Sequence, residues 1–293
     1  MLKNPLHTLS VIRENLAKAV KATGLSKVLI GLSGGADSAL VAIAAVEAVG
    51  KENVKAIFMP SVYTKVESAE LAQRFAEDCL NIEFQTYPIN FAHEAFQKIL
   101  FDGGDIDVTG VPDENIQARV RGVILMAVAN VEYRLVLATS NRSEALMGYC
   151  TIYGDTVGFR EVIGGLFKTE VYQILEDVYK QAPRDILRRI IDRPPSAELS
   201  PRQLDTDLLP PYEVLDLILA QLPQYVTDEN IVKQAWRITD KLVEHVADAV
   251  EQKFPDLKDD VEKLVHQVLE TVLRNGWKLL QYPPVIPSKG YIL

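Results

Sequence analysis

Apolar positions change period in a regular way along the chain. Leu9, Ile12, Leu16, Ala19 and Val20 recur at helical spacing, with Thr8 or Ser10 as the expected cap and Gly24 as the expected stop. Val28–Ser38, VLIGLSGGADS, then reads as a buried strand, a tight glycine turn and a helix start. The helix runs to about Val49, where Gly50 ends it. Val54–Met59 predicts a second strand stopped by Pro60, and Ser68–Cys79 a helix with Leu71, Phe75 and Cys79 on one face. Ile82–Ile89 alternates as a strand does. Phe91–Leu100 predicts a short helix, and the acidic, glycine-rich Phe101–Glu114 a mobile loop. Asn115–Tyr133 is a long helix with apolar residues over most of its surface, so it is expected to be buried. Leu135–Thr139 is wholly apolar and suits the centre of a sheet.

Strands alternating with helices predict an α/β fold, a doubly wound, mostly parallel sheet with helices on both faces. Ligands of such sheets sit at the carboxyl ends of the strands, where Ser33–Ser38 falls. Ile186–Tyr212 is rich in Pro and Arg and reads as a long functional loop. Tyr212–Leu222, Asn230–Phe254 and Leu257–Asn275 read as helices. The last two suit an antiparallel pair, through Trp236, Leu242, Val243, Val246 and Val250 on one and Val261, Leu264, Val265, Val268 and Leu269 on the other. The expected division is a nucleotide-handling domain over 1–220 and a helical extension over 221–293. The extension reads either as an elaborated helical subdomain or as a face for a second copy.

The glycine turn carries the first chemical signal. Gly34 and Gly35 let the backbone close around an anion, and the free N–H groups of the following helix attract phosphate. A Walker loop needs Lys after its second Gly, and Ala36 and Asp37 stand there instead. A carboxylate among phosphates calls for Mg2+. Asn141, Ser143 and Glu144 crowd the end of the apolar strand, so Asp37 and Glu144 reach the same sheet edge and form a candidate Mg2+ pair. The plainer reading of Glu144 is a first-turn residue that suits the helix dipole. Arg119 and Arg121 point about 200° apart on a helix, so at most one faces a given ligand.

Composition narrows the field. The chain has 293 residues, 48% hydrophobic and 24% charged, enough for one large domain or two unequal ones. A net charge of −9 argues against a broad nucleic-acid-binding face. Two cysteines, Cys79 and Cys150, suggest no disulfide frame and fit a reducing cytosol. No apolar signal core opens the chain, and no apolar run reaches membrane-spanning length, so a cytoplasmic protein without a membrane partner is expected. The four histidines share no ligand spacing, so no zinc site is expected.

Ser33-Gly34-Gly35-Ala36-Asp37-Ser38 resembles the SGGxDS loop of the N-type ATP pyrophosphatases. Six further ordered blocks sharpen the resemblance: Asn115–Arg121, Ala138–Glu144, Gly148–Asp155, Lys168–Tyr172, Arg193–Leu199 and Leu209–Asp216. Together they resemble NAD synthetase, most nearly the synthetase domain of the glutamine-dependent branch without its amidase domain. The resemblance implies an adenine nucleotide α-hydrolase-like fold and a ligase that uses ATP and Mg2+. Its reaction would activate deamido-NAD (nicotinic acid adenine dinucleotide) as an acyl adenylate. Ammonia would then displace AMP, supplied free or by a separate glutamine amidotransferase. It also implies a homodimer.

The resemblance further implies residue roles. Gly31, Leu32, Ser33, Gly34, Gly35, Ala36, Asp37 and Ser38 would hold the phosphates, with Thr139, Lys168 and Ser196 also on ATP. Asp37, Glu144, Lys168 and Asp155 would carry the chemistry, and Asp37 and Glu144 the metal. Asn115, Arg119, Asp155, Arg160 and Lys278 would meet the dinucleotide. Lys168 alone would otherwise read as a solvated lysine at a helix start. Three positions depart from the family pattern. Ile152 stands where ammonia-dependent enzymes carry Lys, Phe159 where they carry Asp, and Phe58 where many relatives carry an adenine-stacking Arg. Arg160 is the candidate for the missing positive charge. Two alternatives stay open: another pyrophosphatase that adenylates a different carboxylate or a tRNA base, and a catalytically inactive nucleotide-binding homologue.

Overall fold

The computed structural model describes residues 2–222, 230–231, 236–257 and 260–288. Five parallel strands form one sheet in the order β3-β2-β1-β4-β5. They are β1 (Lys27–Gly31), β2 (Val54–Phe58), β3 (Glu83–Thr86), β4 (Arg134–Ala138) and β5 (Arg160–Glu161). β1 and β2 have buried, apolar centres, as strands covered on both faces must. Helices α1 (Pro5–Ala22), α2 (Ala36–Val49) and α7 (Lys168–Gln181) bury Ile12, Leu16, Leu40 and Val171 against one face. Helices α4 (Asn90–Gly104) and α5 (Val111–Glu132) lie on the other, where Val120 and Leu125 pack on Leu29, Ile57 and Val136. β1 is followed by a crossover toward β2, and its other neighbour, β4, begins the opposite wing. The chain leaving each of the two strands therefore runs to opposite wings of the sheet, which opens a crevice at their carboxyl ends.

Several elements differ from the sequence reading, each for a local reason. Asn4, not Thr8 or Ser10, caps α1: its side chain accepts from the His7 amide, and Pro5 supplies a preset first helical residue. The helix Val66–Arg74, α3, continues as a wider turn over Phe75–Leu80. The loop expected over Phe101–Glu114 shrinks to 105–110, because α4 runs on to Gly104 and α5 starts at Val111 with Pro112 in its first turn. The loop expected from Ile186 also begins later. Asp185–Asp192 is helix α8, with Ile186, Leu187, Ile190 and Ile191 buried along one side. Its arginines turn outward to acids, Arg188 to Glu176 and Asp192, Arg189 to Glu67 and Glu70.

The expected burial of α5 holds for one side only. Val123 and Val131 are 64% and 78% exposed, and Met126 lies near them on the outer stripe. On the adjoining α4, Phe91 is 87% exposed. The C-terminal helices are the reverse case. Helix α6 (Arg142–Met147), α9 (Tyr212–Gln221), α10 (Asp240–Lys253) and α11 (Val261–Asn275) share a second core. The apolar stripes of α10 and α11 are therefore used up inside the chain and do not form a face for a second copy. Thr239 caps α10, so Trp236–Thr239 precedes the helix that the sequence placed there; residues 232–235 of that predicted helix lie outside the described set. No helix among the described residues is long and apolar enough to cross a membrane.

One glycine sets how closely the first turn after β1 can approach its neighbour. Gly34 has φ +82°, and a Cβ there would stand 2.6 Å from the Ser68 carbonyl oxygen of α3. Both strain and collision oppose a side chain. Gly34→Ala is expected to cost about 2 kcal/mol or more of unfolding free energy, read as a lower urea midpoint at unchanged slope.

Candidate active site

The crevice beside β1 and β4 holds a cavity of about 190 Å³. Its floor is the β1–α2 turn. The Ser33 amide donates to Ser38 Oγ at 3.2 Å, and Ser38 Oγ donates to the Gly35 carbonyl at 3.1 Å, which folds the turn tightly. Gly35 caps α2 with no side chain, and Ala36, Asp37 and Ser38 line the cavity. The positive end of α2 therefore opens onto it, an arrangement that favours a bound anion. Of the eight loop residues expected to hold phosphate, Ser33, Gly35, Ala36, Asp37 and Ser38 line the cavity, whereas Gly31, Leu32 and Gly34 shape the turn behind it.

Asp37 and Glu144 meet across the cavity around one ammonium. Lys168 Nζ contacts Asp37 Oδ2 and lies 3.5 Å from Glu144 Oε1. Asn141 joins the set by donating from Nδ2 to Asp37 Oδ1 at 3.0 Å. Glu144 also has the plainer role. Asn141 Oδ1 accepts from the Glu144 amide at 3.1 Å, and Glu144 Oε2 accepts from the Asn141 amide at 3.4 Å, a reciprocal cap on α6. Capping fixes the carboxyl, and its second oxygen faces the cavity. Lys168 is buried, contrary to a solvated helix-start residue. Burial would lower its basicity, but the charges of Asp37 and Glu144 overcome this and raise it.

A second layer sets where Lys168 begins α7. Ser143 Oγ accepts from the Lys168 amide at 2.9 Å and donates to Asp216 Oδ1 at 2.5 Å. Asp216 Oδ2 accepts from the Thr169 amide at 2.8 Å. One buried carboxylate on α9 thus ties α6 to α7. The Tyr212 ring lies 5.3 Å from Lys168 Nζ. Burial and the Asp37 charge push the Glu144 carboxyl up to about 8, with Lys168 offsetting part of the rise.

Asp155 closes the β4 side. Its Oδ1 accepts from the Thr151 amide at 2.8 Å. It is open to the cavity yet surrounded by protein, which pushes its carboxyl up to about 6. Thr139 and Ser196 also line the cavity, although Ser196 Oγ donates to the Gln203 carbonyl at 2.5 Å. The segment after α8 forms the roof. Glu198 accepts from Ser68 Oγ at 2.7 Å and pairs with Arg193, which also donates to Ser68 Oγ at 2.8 Å. The sequence reading assigned no role to Arg193 or Glu198, although both lie in the Arg193–Leu199 block that carries part of the resemblance.

The expected dinucleotide contacts are less gathered. Arg119 Nε donates to the Ile152 carbonyl at 3.2 Å, and Asn115 Oδ1 accepts from Thr151 Oγ1 at 2.6 Å. Lys278 Nζ donates to the Gly148 and Cys150 carbonyls at 2.7 and 3.2 Å. All three hold the Gly148–Asp155 loop from outside the cavity. Arg160 is not brought there either: it lies on β5 with its guanidinium 4.2 Å over the Phe159 ring. Phe58 is buried in the core and cannot stack on a base. Arg121 is the more enclosed of the two helix arginines. Its Nε donates to the Met59 carbonyl at 2.9 Å, and burial pulls its guanidinium down to about 10. Burial also pushes the Cys150 thiol up to about 12, so it is no ready nucleophile.

Among the described residues, no group of three or more His, Cys, Asp or Glu is arranged as a metal cage. The Asp37–Glu144 pair still fits Mg2+ chemically. Mg2+ binds through one or two carboxylates and takes its other ligands from water and phosphate.

The NAD synthase family model matches residues 8–254. The chain belongs to the NAD synthase family. It is 43% identical over 227 residues to the glutamine-dependent NAD(+) synthetase of Aquifex aeolicus, covering 77% of this chain and 40% of that protein. Thus it spans about two fifths of the length of that curated relative. Two solved structures superpose on it: NH3-dependent NAD synthetase from Campylobacter jejuni (TM-score 0.62, 26% identity, 86% of this chain and 95% of that one) and NMN synthetase from Francisella tularensis (TM-score 0.67, 27% identity, 87% of this chain and 96% of that one). Membership agrees with the resemblance drawn from the seven sequence blocks, and the parallel sheet agrees with the expected fold class.

The raised value of Glu144 has a pH consequence. The unfolded carboxyl titrates near 4.5 and the folded one near 8, so the folded state holds the extra proton between them. Glu144 therefore costs stability progressively as pH rises through that window. Glu144→Gln is expected to flatten the fall in unfolding free energy between pH 5 and pH 8, roughly the interval so bounded, measured by urea titration at several pH values without nucleotide.

Proposed function

We propose that this chain catalyses the ATP-dependent amidation of deamido-NAD to NAD, releasing AMP and pyrophosphate. The observation that carries this reading is the meeting of Asp37, Glu144 and Lys168 at the open N-terminus of α2 in a member of this family. A carboxylate is a poor electrophile and needs activation before an amine can displace it. Its attack on the α-phosphate joins two anions, so the site must supply positive charge. The α2 N-terminus and Lys168 would stabilise the pyrophosphate as the Pα–O bond breaks. Asp37 and Glu144 would hold Mg2+, whose charge offsets the repulsion between substrate carboxylate and triphosphate. Ammonia would then form the C–N bond while the acyl C–O bond to AMP breaks. The Gly148–Asp155 loop, with Asn115, Arg119 and Lys278 supporting it, would receive the dinucleotide; Arg160 would need to leave Phe159 to take part.

The decisive assay combines ATP, Mg2+ and deamido-NAD with either ammonium or glutamine. NAD and AMP are expected with ammonium, and AMP absent under every nitrogen supply would refute the reading. Asp37→Ala and Glu144→Ala are each expected to cut kcat by about 100-fold or more with circular dichroism unchanged. A second reading draws on the likeness to a structure described as NMN synthetase, in which the carboxylate would belong to a mononucleotide. Its kcat/KM against that of the dinucleotide decides between them.

We also infer a homodimer through α4 and α5. The exposed row Phe91, Val123, Met126 and Val131 is more apolar than a solvated helix pair needs, and a second copy of the same row would cover it. Val123→Arg is expected to convert a dimer into a monomer in sedimentation velocity. A wild-type monomer at tens of micromolar would overturn the inference.

A further inference from the structure

Among the described residues, two cationic side chains line the cavity, Lys168 and Arg193, against the acids Asp37, Glu144, Asp155, Glu198 and Asp205. A triphosphate entering so acidic a site needs every positive charge within reach. Lys168 is already shared between Asp37 and Glu144. Arg193 is the remaining cation. Its side chain is 13% exposed and pairs with Glu198, which is 12% exposed. Arg193 Nη2 donates to Ser68 Oγ at 2.8 Å and also makes the bond to Glu198 Oε1. Neither bond engages Nε or Nη1, so the rest of the donor fork stays open to a further anion.

Position brings that fork to the glycine turn. Ser68 Oγ anchors Nη2, and the Ser68 carbonyl packs so closely on Gly34 that a Cβ there would stand 2.6 Å from it. Ser68 therefore meets the turn with its backbone and Arg193 with its side chain. Glu198 is kept at this place against the preference of its own backbone. Its φ is +50°, the left-handed region that residues other than glycine rarely adopt. Its two carboxylate oxygens lie 2.9 and 2.7 Å from Ser68 Oγ, and Lys65 Nζ stands 4.0 Å from Oε1. Carboxylate and phosphate oxygens fit the same guanidinium fork, so an acid on this wall sits where a phosphoryl group would be received.

We propose that Arg193 is a phosphate-binding residue of the adenylation site, and that Glu198 holds its place as counter-ion until ATP arrives. This rests on the preceding reading, in which ATP is cleaved between its α- and β-phosphates. The β- and γ-phosphoryl oxygens take the open donors of Arg193. The Glu198 carboxylate, repelled by the phosphates, then gives up Nη2 and keeps Ser68. As the substrate carboxylate oxygen bonds to Pα, the bond from Pα to the bridging oxygen breaks, and its electron pair leaves with pyrophosphate. Arg193 donates hydrogen bonds to that growing charge and transfers no proton.

Pyrophosphate with Mg2+ is the probe, titrated into the full chain by calorimetry, which needs no turnover. Arg193→Met keeps the stem and removes the charge. Its dissociation constant for pyrophosphate is expected to rise about tenfold or more. Glu198→Gln removes the competing charge and keeps an oxygen for Ser68. Its dissociation constant is expected to fall about threefold or more. The opposite signs separate a phosphate site from a clamp that only holds the roof, whose loss would weaken binding in both variants. An unchanged affinity in Arg193→Met, an unchanged or weakened one in Glu198→Gln, or no pyrophosphate binding by the wild type overturns the proposal. If Arg193→Met does not fold, Glu198→Gln decides alone by the same sign. ATP–pyrophosphate exchange with deamido-NAD is measured on the wild type in parallel. Its absence refutes the adenylation of that acid, while the titrations still judge Arg193 and Glu198.

Discussion

The structure depends on one buried charge arrangement, the Lys168 ammonium held between the Asp37 and Glu144 carboxylates. Two half-buried acids this close to each other would repel, and a buried ammonium alone would lose its proton. The acids keep the buried ammonium protonated, while burial and the Asp37 charge push the Glu144 carboxyl up to about 8. The three residues come from the starts of three helices, α2, α6 and α7, so the ion set also fixes where those helices converge. Removing one member of such a set typically costs about 3–5 kcal/mol, because the others remain buried without compensation. The set leaves the two acids and the ammonium facing an open cavity.

Around that set, polar side chains serve twice. Asn141 caps α6 and also binds Asp37. Glu144 closes the capping box and also faces Lys168. Ser143 bridges the Lys168 amide to Asp216. Each helix start is thereby satisfied by residues that position the site, so folding and pre-organisation draw on the same hydrogen bonds. The roof is held differently, by Glu198 drawing Arg193 and Ser68 together over the cavity. Those contacts are charged, largely enclosed, and join a long loop to α3.

Much of this was legible from spacing. The β1 run, the glycine turn and the helix behind it follow directly from Val28–Val49, and the wholly apolar β4 run identifies a strand covered on both faces. Asp37 and Glu144 could be brought to one edge because parallel strands share a carboxyl end. Other features were hidden by ambiguity of composition. The Arg-rich look of Ile186–Asp192 masked an amphipathic helix whose arginines are exposed and ion-paired. The glycines at 103 and 104 suggested a loop, yet α4 ends there instead of earlier. The outer stripe of α5 is as apolar as its inner one, so periodicity could not say which side would stay uncovered.

The sequence by itself determined the fold class, the glycine turn after β1 and the identity of the acids, because these follow from local period and from residue types in fixed order. Only the tertiary structure decided which charges meet. It moved Lys168 from an ordinary helix start to the centre of the ion set, turned Arg119, Asn115 and Lys278 to the support of a loop, and paired Arg193 with Glu198 over the cavity. The physical reason is that charge depends on surroundings: whether a lysine or a carboxyl is solvated, paired or stranded is set by neighbours distant in sequence, and no local pattern encodes their arrival.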